Sequence, residues 1–257
     1  MSDTIRCRLQ NILLFENIRT KRFLMKGQTI MIQSEVICRV LRIVCDKKCG
    51  STFTLEVEGK QYLATVKHLF EDVGYPPHYT IGLFLDAGYI SKEVDIYYHI
   101  NPNIDIAILS VTPHEILTQE YDNLLTSNGV ALGQDVFFLG FPFEYDQMAA
   151  KPKNRGVPTP FVKKACLSSI QVFPDGSNLL ILDGINNHGF SGGPVCFKPI
   201  GSRSMSICGI VSSYRYDNSP IRDVNDKIMP YSVRENTGII HTFNISHAIE
   251  IIKSINN

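Results

Sequence analysis

The hexapeptide Gly189-Phe190-Ser191-Gly192-Gly193-Pro194 sets one hydroxyl among three glycines, between an apolar run ending at Leu182 and another beginning at Pro194. A hydroxyl is a useful nucleophile when it stands on a tight turn with backbone N–H groups placed to receive the charge that forms on an attacked carbonyl oxygen. Glycine at 189 lets the chain turn its N–H outward, and the N–H of Ser191 supplies a second donor. Gly192 and Gly193 admit close approach of neighbouring backbone. The chemistry that suits such a turn is acyl transfer, which also needs a base for the hydroxyl proton and a group that fixes the base.

Asp105 heads the apolar run Ile106-Ala107-Ile108-Leu109. A carboxylate there is costly to bury unless it is hydrogen-bonded, and contact with an imidazole would serve. Asp95, in Lys92-Glu93-Val94-Asp95, lies in a more polar context where a solvated face explains it. Several blocks then resemble the trypsin/chymotrypsin-like superfamily, and within it the bacterial trypsin-like peptidases related to the Deg/HtrA proteases. Gly50-Ser51-Thr52-Phe53 followed by Tyr62-Leu63-Ala64-Thr65-Val66-Lys67-His68 looks like the family's opening hairpin, whose second strand ends in Thr-x-x-His. Asn103 to Leu109 is similar to its Asp-hydrophobic-Ala-hydrophobic-Leu block, and Val136 to Pro142 to its Val-x-x-hydrophobic-Gly-x-Pro strand and turn. Gly209-Ile210-Val211-Ser212 and Gly238-Ile239-Ile240 resemble the two pocket-wall strands. The resemblance runs from about Gly50 to Ile252, in the order His, Asp, Ser.

The resemblance implies a serine endopeptidase, with Ser191 as nucleophile, His68 as general base, Asp105 as the group that orients the imidazole, and an oxyanion hole from the N–H groups of Gly189 and Ser191. It places substrate along Ser212, Ser213 and Tyr214 as an added strand, with Gly238 in the pocket wall. The residue six positions before the serine falls at the pocket base; here it is Ile185, followed by Asn186 and Asn187. With no carboxylate there, small or medium apolar side chains are expected before the scissile bond and cationic ones are disfavoured, unless Asp183 reaches the pocket instead. Phe190 stands where zymogen-activated members carry an aspartate, and Tyr214 where many have glycine. The second reading is a latent or inactive fold acting as a regulated peptide-binding module, its oxyanion loop held closed by Phe190 and Tyr214 until an activating protein partner binds.

The elements around these residues read as all-β from Val36 onward: short β-branched and aromatic runs separated by Gly, Pro, Asn and Asp. Strands are expected at Val36–Val44, Ser51–Val57, Gln61–Val66, Ile104–Val111, Val136–Leu139, Leu179–Leu182, Pro194–Phe197, Ser206–Ser212 and Gly238–Phe243, with a terminal amphipathic helix at Ser246–Ile252. The resemblance makes the expected fold class two antiparallel β-barrels, a chymotrypsin-like double barrel, with a C-terminal helix. Residues 1–33 read as an extension, residues 34–257 as the peptidase domain, and Glu144–Pro160, with its lysines and prolines, as an exposed loop.

Hydrophobic content of 44% with 19% charge describes a globular chain. Lys plus Arg and Asp plus Glu are both 25, so no net field draws the molecule to nucleic acid. No stretch reaches membrane-spanning length, and the short apolar run at residues 12–15 is too little for a secretory signal. Seven cysteines, an odd number, fit a reducing compartment, so the expected location is cytoplasmic. Cys45 and Cys49 lack a second ligand pair at metal spacing, and neither metal nor other cofactor is expected. The choice of carboxylate is testable: Asp105→Asn lowers peptidase turnover on the order of 10⁴-fold by favouring the wrong tautomer, while Asp95→Asn is nearly silent. Steady-state kinetics of the two variants decide it, and exchanged outcomes would refute the choice.

Overall fold

The computed structural model describes residues 32–85, 88–111, 124–144 and 158–256. Nearly all of the expected extension and most of the Glu144–Pro160 loop lie outside the described residues. The first barrel closes in the order β1-β2-β3-β6-β5-β4, from β1 (Val40–Cys45), β2 (Lys48–Val57), β3 (Lys60–Thr65), β4 (His78–Leu85), β5 (Gly88–Tyr98) and β6 (Ala107–Val111). The second is a ring of β8 (Asp135–Gly140), β9 (Phe161–Val172), β10 (Asn178–Asp183), β13 (Ile228–Asn244), β12 (Ser206–Arg222) and β11 (Pro194–Phe197), closed by the β11–β12 pairing. A two-residue strand, β7 (Leu124–Leu125), lies parallel along β12. Among the described residues two α-helices flank the barrels, α1 (Ser34–Cys38) and α2 (Ser246–Asn256). No described helix is long and apolar enough to cross a membrane.

Local chemistry accounts for these elements. The β2–β3 hairpin turns on Glu58 and Gly59, both at positive φ (52° and 73°), as a tight turn matched to strand twist requires. Its register pairs Phe53 with Ala64 and Leu55 with Tyr62. β3 then runs straight into a 3₁₀ turn, Lys67–Val73, which carries His68. Leu41, Ile43, Phe53, Leu55, Leu63, Ile81, Leu83 and Leu109 fill the first barrel, and Val136, Phe138, Leu167, Leu180, Leu182 and Val211 the second.

Some expected boundaries are corrected. Val36 and Ile37 belong to α1, and the strand begins only at Val40. Residues 104–106 precede β6 rather than opening it: the Asn101 side chain accepts from the Asn103 N–H (3.0 Å) and the Asn101 carbonyl from the Ile104 N–H (3.1 Å), which makes a turn. Helix α2 runs four residues past Ile252, to Asn256. Strands β4, β5 and β9 were not expected; in β5 and β9 Lys and Ser interrupt the apolar residues, so no long apolar run marks those two.

The segment leading into Asp105 is clasped from the second barrel and from α2. Asp175, in the β9–β10 turn, accepts from Ser177 Oγ (2.7 Å) and the Ser177 N–H (2.9 Å) through one oxygen, and from Asn103 Nδ2 (2.9 Å) through the other. Asn101 Nδ2 donates to the Asp175 carbonyl at 3.0 Å. The Ser177 hydroxyl first, then the Ser177 N–H and the Asn103 amide, hold the Asp175 carboxyl well below the usual carboxylate range. A depressed folded-state value contributes stability that is present above the unfolded-state value and is lost as pH falls through the folded one. Asp175→Asn is therefore expected to melt lower than wild type near neutral pH. The gap should narrow as pH drops below about 4, the ordinary aspartate value. Thermal melts across the acid range check this, and a constant gap would refute it.

Candidate active site

His68 and Asp105 come from the same end of two paired strands of the first barrel, the 3₁₀ turn after β3 and the turn before β6, where Thr65 pairs with Ala107. His68 Nδ1 meets Asp105 Oδ2 at 2.7 Å, and the His68 backbone N–H donates to Asp105 Oδ1 at 2.9 Å. Ser212 Oγ donates to Asp105 Oδ2 at 2.6 Å. Three donors thus converge on one partly buried carboxylate, which fixes the ring with Nδ1 protonated and Nε2 left as the acceptor.

Ser191 is brought to the same place by the second barrel, on the turn before β11. Its hydroxyl donates to the Ser212 carbonyl at 3.0 Å; among the described residues this is the bond it makes, rather than one to His68. Gly189 has φ +100°, and a Cβ there would lie 2.1 Å from the Phe141 carbonyl. Gly192 has φ +86°, and its Cβ would lie 2.1 Å from the Ser51 carbonyl and 2.3 Å from Thr65 Oγ1. The N–H groups of Gly189 and Ser191 have no hydrogen-bond partner among the described residues. The Gly192 and Gly193 N–H groups are taken by the Val211 and Phe190 carbonyls, at 2.8 and 2.9 Å.

Ser51 on β2 braces this turn from the first barrel. Its N–H donates to the Ser191 carbonyl (2.8 Å) and its Oγ to the Gly189 carbonyl (2.7 Å), while Oγ accepts from the Phe141 N–H (3.0 Å). Phe190 is fully buried, edge-on to Phe138 with ring centroids 5.0 Å apart. Lys163 Nζ lies 5.3 Å from the Phe190 centroid, donates to the Ile185 carbonyl at 2.7 Å and is closely paired with Asn187 Oδ1. Burial lowers the Lys163 ammonium below its ordinary value. Sequence reading assigned no part to Ser51, Thr65 or Lys163. For Ser51 a signal was available, since it falls in the Gly50–Phe53 block.

Of the expected pocket residues, Ser212 touches Ser191, and Ile185, Asn186 and Gly238 lie near one another. Ile185 is exposed and Asn186 buried, its carbonyl accepting from Asn236 Nδ2 at 2.7 Å. A Cβ on Gly238 would lie 3.6 Å from Asp183 Oδ1 and 3.9 Å from Ile185 Cδ1, so both candidate pocket-base residues border one spot. Ser213 Oγ and His241 Nδ1 are 3.2 Å apart; burial first, then the charge of Arg215, lowers the His241 pKa. Tyr214 stacks edge-on with His188 at 6.0 Å. Asp95 pairs closely with His78 on the barrel exterior, away from His68.

One group of described side chains has metal-ligand atoms within 4.8 Å of one another: His99, His247 and Glu250. The ring nitrogens turned away from Glu250 already accept backbone N–H bonds, His99 Nδ1 from Asn101 and His247 Nε2 from Asn178, each at 3.0 Å. In a neutral ring the nitrogen facing Glu250 therefore carries the proton. A cation would need the opposite tautomer, so the cluster is a hydrogen-bonded clasp. Burial acts to raise the Glu250 carboxyl, but bonds from His247 and His99 outweigh it and hold it below its ordinary value.

No protein-family model matches the chain, and no curated protein matches it in sequence. Solved structures match it in fold. The HtrA-type protease AlgW with tripeptide aligns with a TM-score of 0.55 and 20% identity, over 86% of this chain and 61% of that one. A serine-to-alanine mutant of Rv3671c from M. tuberculosis, in an inactive form, aligns with a TM-score of 0.50 and 14% identity, over 86% and 88%. Deg5 gives 0.50 and 18%, over 84% and 88%. The chain spans only 61% of the AlgW chain. It has the fold of the HtrA/Deg-type trypsin-like serine protease domains.

The glycine at 192 generates a sharp expectation. Gly192→Ala adds left-handed backbone strain and a clash with fixed main chain, together about 2–4 kcal/mol of stability. A lowered denaturation midpoint, with the chain still folding, is the expected result; an unchanged midpoint would mean that the turn is not built as described.

Proposed function

We propose that this chain is a serine endopeptidase that cleaves peptide bonds through an acyl-enzyme on Ser191. The observation that carries the proposal is the His68–Asp105 pair at 2.7 Å, closed by Ser212 and facing a serine on a glycine turn. In the proposed cycle the Ser191 hydroxyl turns from the Ser212 carbonyl to His68 Nε2, which takes its proton as Oγ attacks the substrate carbonyl. The carbonyl π bond becomes an oxyanion held by the Gly189 and Ser191 N–H groups. Collapse expels the amine, which takes the proton from His68; water, deprotonated by the same imidazole, then releases the acid. Asp105 keeps its charge throughout and stabilises the imidazolium.

A second reading, a latent fold that binds peptide and awaits an activating partner, draws on the Ser191–Ser212 bond, since it occupies the hydroxyl. A fluorophosphonate probe separates the two: labelling of wild type and not of Ser191→Ala supports an assembled nucleophile, while no labelling of folded protein supports latency. Ser191→Ala should also lower turnover on the order of 10⁴–10⁶-fold.

We also propose that the pocket favours Val, Ala or Leu before the scissile bond. An aliphatic side chain gains about 1.5–3 kcal/mol on burial, whereas a cation loses hydration. Digestion of a peptide library read by mass spectrometry tests it. Dominant cuts after Lys or Arg that Asp183→Ala abolishes would transfer the pocket base from Ile185 to Asp183.

A further inference from the structure

Residues 184–190, which run from the end of β10 to Ser191, belong to no helix or strand. No ladder holds their peptides, so the direction of each N–H is set by individual contacts. A trans peptide points its N–H and its carbonyl to opposite sides. The His188 carbonyl accepts from the Phe143 N–H at 3.0 Å, which turns the Gly189 N–H the other way. The Phe190 carbonyl accepts from the Gly193 N–H at 2.9 Å, which does the same for the Ser191 N–H. The aim of both N–H groups therefore depends on where the chain just before them is held.

Lys163 reaches that stretch from β9. It lies opposite Phe138 in the β8–β9 register and shares the strand parity of the buried Ala165 and Leu167. Its side chain thus leaves the strand on the inner face, where Phe190 lies edge-on to Phe138 at 5.0 Å. Lys164, on the outer face, pairs with Asp135 at 2.8 Å. Lys163 has no carboxylate partner among the described residues, and burial lowers its ammonium below the ordinary value. An aliphatic side chain would fill the place without that cost. What the ammonium secures is the loop: it donates to the Ile185 carbonyl at 2.7 Å, pairs closely with Asn187 Oδ1, and sits 5.3 Å from the centroid of the Phe190 ring. The Asn187 carbonyl in turn accepts from the Phe190 N–H at 3.4 Å.

We propose that Lys163 is a positioning residue, whose ammonium ties Ile185, Asn187 and Phe190 into one brace that keeps the Gly189 and Ser191 N–H groups aimed at the forming oxyanion. The inference rests on the peptidase reading for what those N–H groups do. The brace itself rests on three contacts made by one side chain, spread from the second residue of the loop to the residue before the nucleophile. A single cation on a strand of the barrel wall thus does for the loop what a backbone ladder does for a strand. It touches neither substrate nor reacting atoms, so its effect on the reaction runs through the loop alone. Without it, Ile185 and Asn187 each lose a charge-assisted bond at once, and the peptides that follow are free to rotate.

The test compares the full chain with Lys163→Met, which keeps an aliphatic stem against Phe190 and removes the charge and donors, and with Lys163→Arg, which keeps both. Each is assayed by cleavage of an internally quenched peptide with Leu before the scissile bond, by labelling with a fluorophosphonate, and by hydrogen exchange of the peptic fragment covering residues 184–193. A misaimed oxyanion donor acts on the transition state rather than on bound substrate. In Lys163→Met kcat should therefore fall on the order of 10²-fold while KM changes far less, and labelling should slow by a similar factor. Exchange in residues 184–193 should quicken about tenfold, with β8 and β11 exchanging as in wild type. Lys163→Arg should recover most of all three. An unchanged kcat in Lys163→Met, or a loss with loop exchange unaltered, would overturn the brace. So would quickened exchange throughout the second barrel, which marks a merely structural residue. If wild type neither cleaves nor labels, the peptidase reading fails and exchange alone decides. A rise in Lys163→Met confined to residues 184–193 then upholds the brace, and no rise refutes it.

Discussion

Ser51 sits in the first barrel, and every hydrogen bond of its hydroxyl reaches into the second. Its Oγ lies between the Gly189 carbonyl and the Phe141 N–H, and its own N–H holds the Ser191 carbonyl. One buried residue thus sets the distance between the strand that leads to His68 and the turn that carries Ser191. Thr65 reinforces it by donating to the Ser51 carbonyl at 2.9 Å, in the space that a side chain at 192 would fill. A buried hydroxyl with all its partners supplied rigidifies its surroundings, whereas one with a partner missing destabilises them. Close backbone explains why the Ser191 turn is so rich in glycine: a Cβ would meet the Phe141 carbonyl at Gly189 and the Leu139 carbonyl at Gly193, both at β8 of the second barrel, and the Ser51 carbonyl of the first barrel at Gly192.

Ser212 plays the complementary part. Its side chain closes the His68–Asp105 pair while its carbonyl holds the Ser191 hydroxyl, so the pair from the first barrel and the serine from the second are linked through one residue.

Much of this was legible in the residues. The glycine turn, the apolar run behind Asp105 and the hairpin ending at His68 each carry a local signal, and the structure brings His68 and Asp105 together at hydrogen-bond distance. The all-β class followed from short strands punctuated by turn residues, and the double barrel from the resemblance. What was not legible depends on contacts distant in sequence. Ser51 falls in the Gly50–Phe53 block, but its part as a brace shows only once Gly189 is folded over it, and the clasp of Asp175 on Asn101 and Asn103 joins residues some seventy positions apart. The long β12–β13 arm was missed because its outer half alternates polar with apolar residues and is exposed on both faces, so neither burial nor an apolar run announces a strand. Helix α1 was read as strand because Val36 and Ile37 are β-branched, a preference that local turn geometry overrides.

The clasp formed by His99, His247 and Glu250 has a consequence for the order in which the molecule folds. Glu250 emerges from the ribosome after His68, Asp105 and Ser191 have all been made, yet it secures His99 at the start of the segment that delivers Asp105. Folding of such long-range contacts waits for the last participant. Until α2 is made and packed, the segment before Asp105 lacks this restraint, so closure of the His68–Asp105 contact belongs to the later steps of folding.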